Sequence, residues 1–314
     1  MYHDKTQNVA KGKWKGILMH FGVSERQLNG KHGPCPVCDG TDRFRFDNID
    51  GKGTSICSFC GARDGMKLVM DLTGRSFPEV AREIDNIVGN IKPGTDKPKV
   101  EMDDVERVRM LREAFQQTRP IQPGDLAHKY LATRNLEELI YPKALRFAEA
   151  MRDGEGGIRP ALVAMVGVYG QDKFATMHRT FLRPDGSGKA DMTSPRKLMP
   201  GALPDGACVV LSEYYPGQVL GIAEGIETAM SASNRFNVPV WAAINATMMT
   251  KWLPPEGCEE VLIFGDNDAS HTGHAASYTL SRKLRAKGVR TEVHFPKAEG
   301  EDWADVYLRE TSGG

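Results

Sequence analysis

Two pairs of cysteines and three clusters of acidic residues carry the chemistry open to this chain. Cys35-Pro36-Val37-Cys38 and Cys57-Ser58-Phe59-Cys60 form CxxC…CxxC, with a gap in the range expected for zinc. Two residues between thiols let a tight turn aim both sulfurs at one ion, and two such knuckles complete a tetrahedral shell. A closed shell has no position for a substrate water, so the expected zinc is structural. His32 reads as a loop histidine, because four cysteines already suffice. Cys208 and Cys258 stand alone downstream. Cysteines gathered in one stretch of a long chain do not form a disulfide framework, and metal binding in a reducing compartment fits better.

The acidic clusters sit where strands should end. Glu224 follows an apolar run in Ala-Glu-Gly-Ile-Glu-Thr-Ala, Asp266 and Asp268 stand in Gly-Asp-Asn-Asp, and Asp302 and Asp305 in Glu-Asp-Trp-Ala-Asp. In open parallel sheets ligands bind beyond the carboxyl ends of the strands, so these clusters should converge. Like charges brought together repel, and a divalent cation relieves them. Oxygen ligands without histidine favour Mg²⁺ or Mn²⁺. Such a site suits phosphoryl transfer. Asp266 and Asp268 are the expected metal ligands, with Asp302 a third; Glu224 would assist deprotonation of an attacking hydroxyl or bind metal itself. Glu227, one helical turn on, is expected to face solvent. The plain alternative is that an acid after a strand is solvated or caps a helix.

The elements that must position these groups follow from periodicity. Trp14, Ile17, Leu18 and Phe21 recur at helical spacing. Ser76 and Glu79 have capping-box spacing and open a helix through Val80, Ile84, Ile87 and Val88 that Gly89 ends. Between the cysteine pairs, alternation puts Phe44 and Phe46 on one face of a short strand and Arg43 and Arg45 on the other. Either the phenylalanines fill a small core beside solvated arginines, or the segment contacts single-stranded nucleic acid by phosphate pairing and stacking. A polar stretch with two prolines follows as a linker. A charged helix is expected from about Asp103 to Gln117. Strands are expected in ALVAMVGVYG, KFATMHRTFL and ACVVLSEYY, with His178-Arg179-Thr180 at a strand's polar phase. The last segment alternates strand and helix: VLGIA, a helix from Ile226 to Phe236, VPVWAAI, VLIFG, a helix from Thr272 to Lys287, then VRTEVHF. That alternation predicts a parallel, doubly wound sheet.

Composition sets outer limits. With 314 residues, ordinary apolar content and a formal net charge of zero, the chain has room for two or three packed domains and is not a wholesale basic protein. No apolar run approaches a membrane span and no signal-peptide core opens the sequence. The expectation is a soluble, cytoplasmic protein without a membrane partner. Gly186-Ser187-Gly188-Lys189 imitates part of a P-loop, but Arg183 stands where a glycine is needed and Ala190 where Ser or Thr is. It reads as a turn, so no helicase motor is expected here.

EGIETA, GDND and EDWADV resemble the glutamate, DxD and later aspartate motifs of the Toprim domain. HGPCPVCDGTDRFRFDN…CSFCGARDG is similar to the zinc-binding motif of plasmid- and satellite-phage-type primases, except that GARDG stands where a more compact glycine-rich form is common. ALVAM through HRTFLRPDGSGKA to SPRKLM resembles the region ahead of Toprim in phage-type primases. The resemblance implies an α/β fold: a Toprim-type doubly wound sheet at 206–314, preceded by a mixed α+β basic subdomain at 103–205, a linker at 90–102 and a small zinc-ribbon domain at 1–89. It implies a primer-synthesising nucleotidyltransferase, a DNA-directed RNA polymerase acting on single-stranded DNA with nucleoside triphosphates. A separate replicative helicase is the expected partner. Of the basic residues Lys173, Arg179, Arg183, Lys189, Arg196 and Lys197, it points most to Arg179, Lys189 and Lys197 as nucleic-acid or nucleotide contacts; the plain alternative is a solvated basic edge. Arg43 and Arg45 of the zinc module join them as candidates on their strand alternation alone. A Toprim nuclease would use the same site with water as nucleophile. A zinc-bearing single-strand-binding accessory protein would not need the carboxylates. A topoisomerase needs a nucleophilic tyrosine, and neither Tyr214 nor Tyr215 lies in such a context.

Overall fold

The computed structural model describes residues 2–91, 103–171, 173–201 and 203–312. Most of the expected linker, 92–102, lies outside them. Two compact units emerge, 1–103 and 104–314.

The first unit runs α1 (Tyr2–Ala10), α2 (Trp14–His20), β1 (Phe44–Phe46), β2 (Ser55–Cys57), β3 (Gly61–Arg63), α3 (Gly65–Thr73) and α4 (Phe77–Ile87). The three short strands form an antiparallel sheet in the order β1-β2-β3. Trp14, Ile17, Leu18, Leu68, Val69, Val80 and Ile84 close one core over it. The capping box at Ser76 forms as its spacing required, with Glu79 Oε2 accepting from the Ser76 backbone N–H at 2.9 Å. Trp14 lies so close to Gly65 and Gly53 that an added Cβ would meet ring atoms at 2.2 and 2.5 Å. Only glycine lets α3 start under the indole.

The second unit opens with α5 (Asp104–Gln116), β4 (Arg119–Pro120), α6 (Leu126–Ala132), β5 (Leu145–Arg152), β6 (Ile158–Val166), β7 (Thr176–Phe181) and β8 (Arg196–Leu198). Its strands form an antiparallel sheet in sequential order. It continues with β9 (Leu220–Ala223), α7 (Ile226–Phe236), β10 (Val240–Ala242), α8 (Ala246–Lys251), β11 (Glu260–Phe264), α9 (Thr272–Arg285), β12 (Arg290–His294) and α10 (Trp303–Thr311). Here the sheet is parallel, in the order β10-β9-β11-β12. This is the α/β architecture expected, with a parallel Toprim-like sheet behind an antiparallel one. The expected boundary at 205/206 falls inside this unit, whose main core runs without a break from Tyr130, Leu162 and Leu182 to Ile222, Ile263 and Trp303.

Two sequence expectations fail here. The ACVVLSEYY segment is not a strand. Cys208 exchanges backbone hydrogen bonds with Gly167, while the next residue, Val209, exchanges them with Ala242. Neighbouring residues tied to different sheets cannot run along either. Nor does β7 present a polar phase at His178 and Thr180, which are 8% and 1% exposed. One face of its sheet packs α6 and the parallel-sheet core, and the other packs Leu111 and Ala114 of α5. A strand covered on both faces loses its polar side.

Candidate metal centres and active site

The cysteine site is built by two turns on a small sheet. The first knuckle is held by the Cys35 N–H donating to Gly40 O and the Asp39 N–H to Cys35 O, both at 2.9 Å. In the second, the Cys60 N–H donates to Cys57 Sγ at 3.4 Å. Cys35 and Cys60 sulfurs lie 3.9 Å apart and Cys38 and Cys57 sulfurs 3.8 Å. All four sulfurs lie within 4.8 Å of one another, the only such cluster of potential metal ligands among the described residues. Zn–S bonds of about 2.3 Å in a tetrahedron require edges of about 3.8 Å, so the donors fit zinc. His32 is exposed and outside the cluster. Arg63, paired with Asp71 at 2.5 Å, lies beside Cys60 and favours its thiolate. Burial pushes the Cys60 and Cys35 thiols up, a cost that a divalent cation offsets.

The alternation in β1 holds: Phe44 and Phe46 are buried and Arg43 and Arg45 half-buried. The phenylalanines belong to the core, which removes them as stacking surfaces. Arg45 pairs with Asp47 at 3.6 Å. Arg43 sits 5.9 Å over the ring of Phe59, an aromatic left 39% exposed.

In the second unit the strand ends bring the acids together as parallel pairing requires. Glu224 follows β9, Asp266 and Asp268 follow β11, and Asp302 is the N-cap of α10. Asp266 is the focus. Its Oδ1 is sealed from solvent without a hydrogen-bond partner. Burial, then the charges of Glu224, Asp302 and Asp268, push its pKa up to about 8. The other two aspartates are partly spent. Asp268 accepts from the backbone N–H groups of Thr272 at 3.1 Å and Gly273 at 2.8 Å and from the Ser270 hydroxyl, and so caps α9. Burial opposes its ionisation, but these donors outweigh it and hold the carboxyl below its usual range. Asp302 accepts from the N–H groups of Ala304 at 2.7 Å and Asp305 at 3.0 Å; burial nevertheless raises its pKa. The carboxylates thus surround Asp266 more loosely than the sulfurs surround one another. Asp266, with its unspent oxygen, is the donor best fitted to a hard divalent cation.

Glu227 does not face solvent, contrary to expectation. It is 6% exposed and accepts from the Tyr130 hydroxyl at 2.5 Å. Lys189 stands 3.5 Å from the same oxygen. Burial would raise its pKa, but Lys189, the Tyr130 hydroxyl and Arg196 hold it down to about 2. The first turn of α7 is buried all round; the small residues of ETAMSAS were the available sign of a helix packed on every side.

The other basic residues are distributed unequally. Arg179 donates to the carbonyls of Arg152 at 3.0 Å and Leu198 at 3.5 Å. Lys197 donates to Asp153 O and pairs with Glu155, both at 2.8 Å. Arg183 pairs with Asp191 at 2.7 Å, and Lys173 is exposed in a loop. Exposed Arg196 carries a charge felt by both Asp266 and Glu227. Beside them His178 is buried, its pKa pushed down to about 4 by desolvation and then Arg196. Tyr214 is buried and Tyr215 exposed.

Comparison with known proteins agrees with this geometry. Residues 30–66 match the zinc-binding domain of primase-helicase, 105–210 a domain of unknown function (DUF7146), and 219–313 the Toprim domain. The chain therefore carries a zinc-binding domain of the kind described from a primase-helicase ahead of a Toprim domain. Among solved structures it is similar to the primase fragment of the bacteriophage T7 primase-helicase protein, at 14% identity over 90% of this chain and 96% of that one, with a TM-score of 0.41. The Aquifex aeolicus primase, its zinc-binding and RNA polymerase domains, matches at 14% identity over 99% and 84%, with a TM-score of 0.38. The RNA polymerase domain of Mycobacterium tuberculosis primase DnaG matches at 13% over 66% and 75%, with a TM-score of 0.36. No described helix is long and apolar enough to cross a membrane.

Proposed function

We propose that the chain synthesises short primers on single-stranded DNA by divalent-metal-dependent nucleotidyl transfer. The observation that carries this reading is Asp266, half-buried, with one oxygen sealed and partnerless and three acidic neighbours, two just past strands β9 and β11 and one at the N-cap of α10. A carboxyl in that state is stabilised by a cation rather than by water. Mg²⁺ or Mn²⁺ held by Asp266, with Asp268 and Asp302, would supply charge neutralisation for the triphosphate and the departing pyrophosphate. Glu224 takes the proton from the attacking 3′-hydroxyl. The new bond forms from that oxygen to the α-phosphorus, and the bond to the β-phosphate oxygen breaks. Lys189, Arg179 and Lys197, with Arg43 and Arg45 of the zinc module, are the proposed contacts to template or nucleotide phosphates. The zinc ribbon favours primer synthesis over nuclease action, since it matches a domain described from a primase-helicase. Unwinding would come from outside these residues, through a helicase partner.

The test incubates the protein with single-stranded DNA of mixed sequence, four ribonucleotides and Mg²⁺, beside Asp266→Ala and Asp268→Ala. New short oligonucleotides that vanish in the variants support the proposal. Template cleavage without synthesis replaces it with nuclease action. DNA binding unaffected by either substitution, with no product under any start sequence, replaces it with an accessory role.

A further inference from the structure

The pair formed by Lys189 and Glu227 joins two parts of the chain that are far apart in sequence. Lys189 leaves a tight hairpin: Leu182 bridges to it, and the Arg183 N–H donates to Gly188 O at 2.9 Å. Gly186, at φ +77°, packs that turn against α6, where an added Cβ would stand 2.9 Å from Lys129 Cβ and 3.1 Å from Leu126 O. Tyr130, wholly buried in α6, donates to Glu227 from the same side. Arg134 lies over the Tyr130 ring at 5.4 Å, with its Nε sealed and partnerless. Two elements of the antiparallel half thus converge on one carboxylate at the start of α7, three residues after Glu224.

Two physical facts follow from the placement. A carboxylate this deeply buried requires a cation and a donor, and loses stability if either is removed. Glu227 Oε1, engaged by both Tyr130 and Lys189, is poorly placed to ligate metal. The cluster nonetheless borders the acidic site: Glu227 lies in the first turn of α7, just past Glu224, and the neighbouring Thr228 hydroxyl donates to Asp302 Oδ2 at 3.4 Å.

Building on the nucleotidyl-transfer reading, we propose that Glu227 is a positioning residue: with Tyr130 it forms a buried receptor that fixes Lys189 beside the carboxylate site to meet nucleotide phosphates. The P-loop-like Gly186-Ser187-Gly188-Lys189 then serves phosphate binding by a different route. Its glycine permits a turn that delivers the lysine, and a glutamate on another element orients it.

The experiment measures Mn²⁺ binding by electron paramagnetic resonance, ATP binding with Mn²⁺ by calorimetry, and the denaturant midpoint of unfolding. It compares wild type with Glu227→Gln, Lys189→Met, the double variant, Lys189→Arg and the milder Tyr130→Phe. Both single substitutions should keep the Mn²⁺ stoichiometry and weaken ATP by about tenfold, the scale of one charge-assisted hydrogen bond. The double variant should bind ATP no more weakly than the worse single and unfold at a higher midpoint than either, since no buried charge is stranded. Lys189→Arg should recover part of the affinity, and Tyr130→Phe should lose severalfold even if the charge variants fail to fold. Loss of Mn²⁺ in Glu227→Gln alone would make Glu227 a ligand and overturn the proposal. Additive ATP losses, or ATP affinity unchanged throughout, would overturn it too. These arms read binding, so they decide the role of Glu227 even if wild type makes no primers.

Discussion

Asp266 gives the sharpest prediction, because a proton and a cation compete for one carboxylate. Its pKa is pushed up to about 8 by burial and then by Glu224, Asp302 and Asp268. Metal must displace that proton, so the apparent dissociation constant scales as one plus the ratio of proton activity to the acid constant. With a pKa of about 8, Mn²⁺ should bind roughly a hundredfold more weakly at pH 6 than at its limit, about elevenfold at pH 7 and about 1.1-fold at pH 9. Calorimetric titration in buffers of different ionisation enthalpy should also find close to one proton released per ion below pH 7. Asp266→Asn should remove both the pH dependence and most of the affinity. Stability of the metal-free protein runs the other way. Since the folded pKa lies above the unfolded one, the folded chain holds the extra proton between them. The contribution of Asp266 is full below about pH 4 and lost as pH rises through about 8, and added Mn²⁺ should restore it. Affinity independent of pH between 6 and 9, without proton release, would refute the idea that Asp266 is the focus of the site.

Three further outcomes are expected. Gly273→Ala places a Cβ 2.3 Å from Asp266 O; the backbone carrying Asp266 or α9 must shift, so Mn²⁺ affinity should fall on the order of tenfold or more while far-ultraviolet dichroism stays unchanged. Cys57→Ser should lose stoichiometric zinc by metal analysis and melt the first unit, structural zinc contributing on the order of 10 kcal/mol; hydrogen exchange should find unit 104–314 still protected. Trp14→Ala empties a site 2% exposed and should destabilise the first unit by about 3–5 kcal/mol, read by chemical denaturation.

Local chemistry was legible because it depends on neighbours in sequence. The knuckles at Cys35–Cys38 and Cys57–Cys60, the Ser76 capping box and the strand-then-helix rhythm around Glu224 and Asp266 each need only a turn or a period. The helix predicted over Ile226–Phe236 has those bounds. Alternation in β1 was equally visible, but not which side meets the core. Burial of Phe44 and Phe46 depends on Trp14 and α3, which the alternation does not contain.

What the sequence determined by itself was therefore the set of reactive groups and the local turns that carry them. Tertiary structure decided which groups remain available. Asp268 and Asp302 are drawn into capping α9 and α10, while Asp266 keeps an oxygen unspent. Glu227, expected to face solvent, is enclosed by Tyr130 of α6 and Lys189 of a hairpin turn, both distant along the chain. Desolvation and charge pairing depend on what covers a residue from every side, and that covering is assembled by segments distant along the chain.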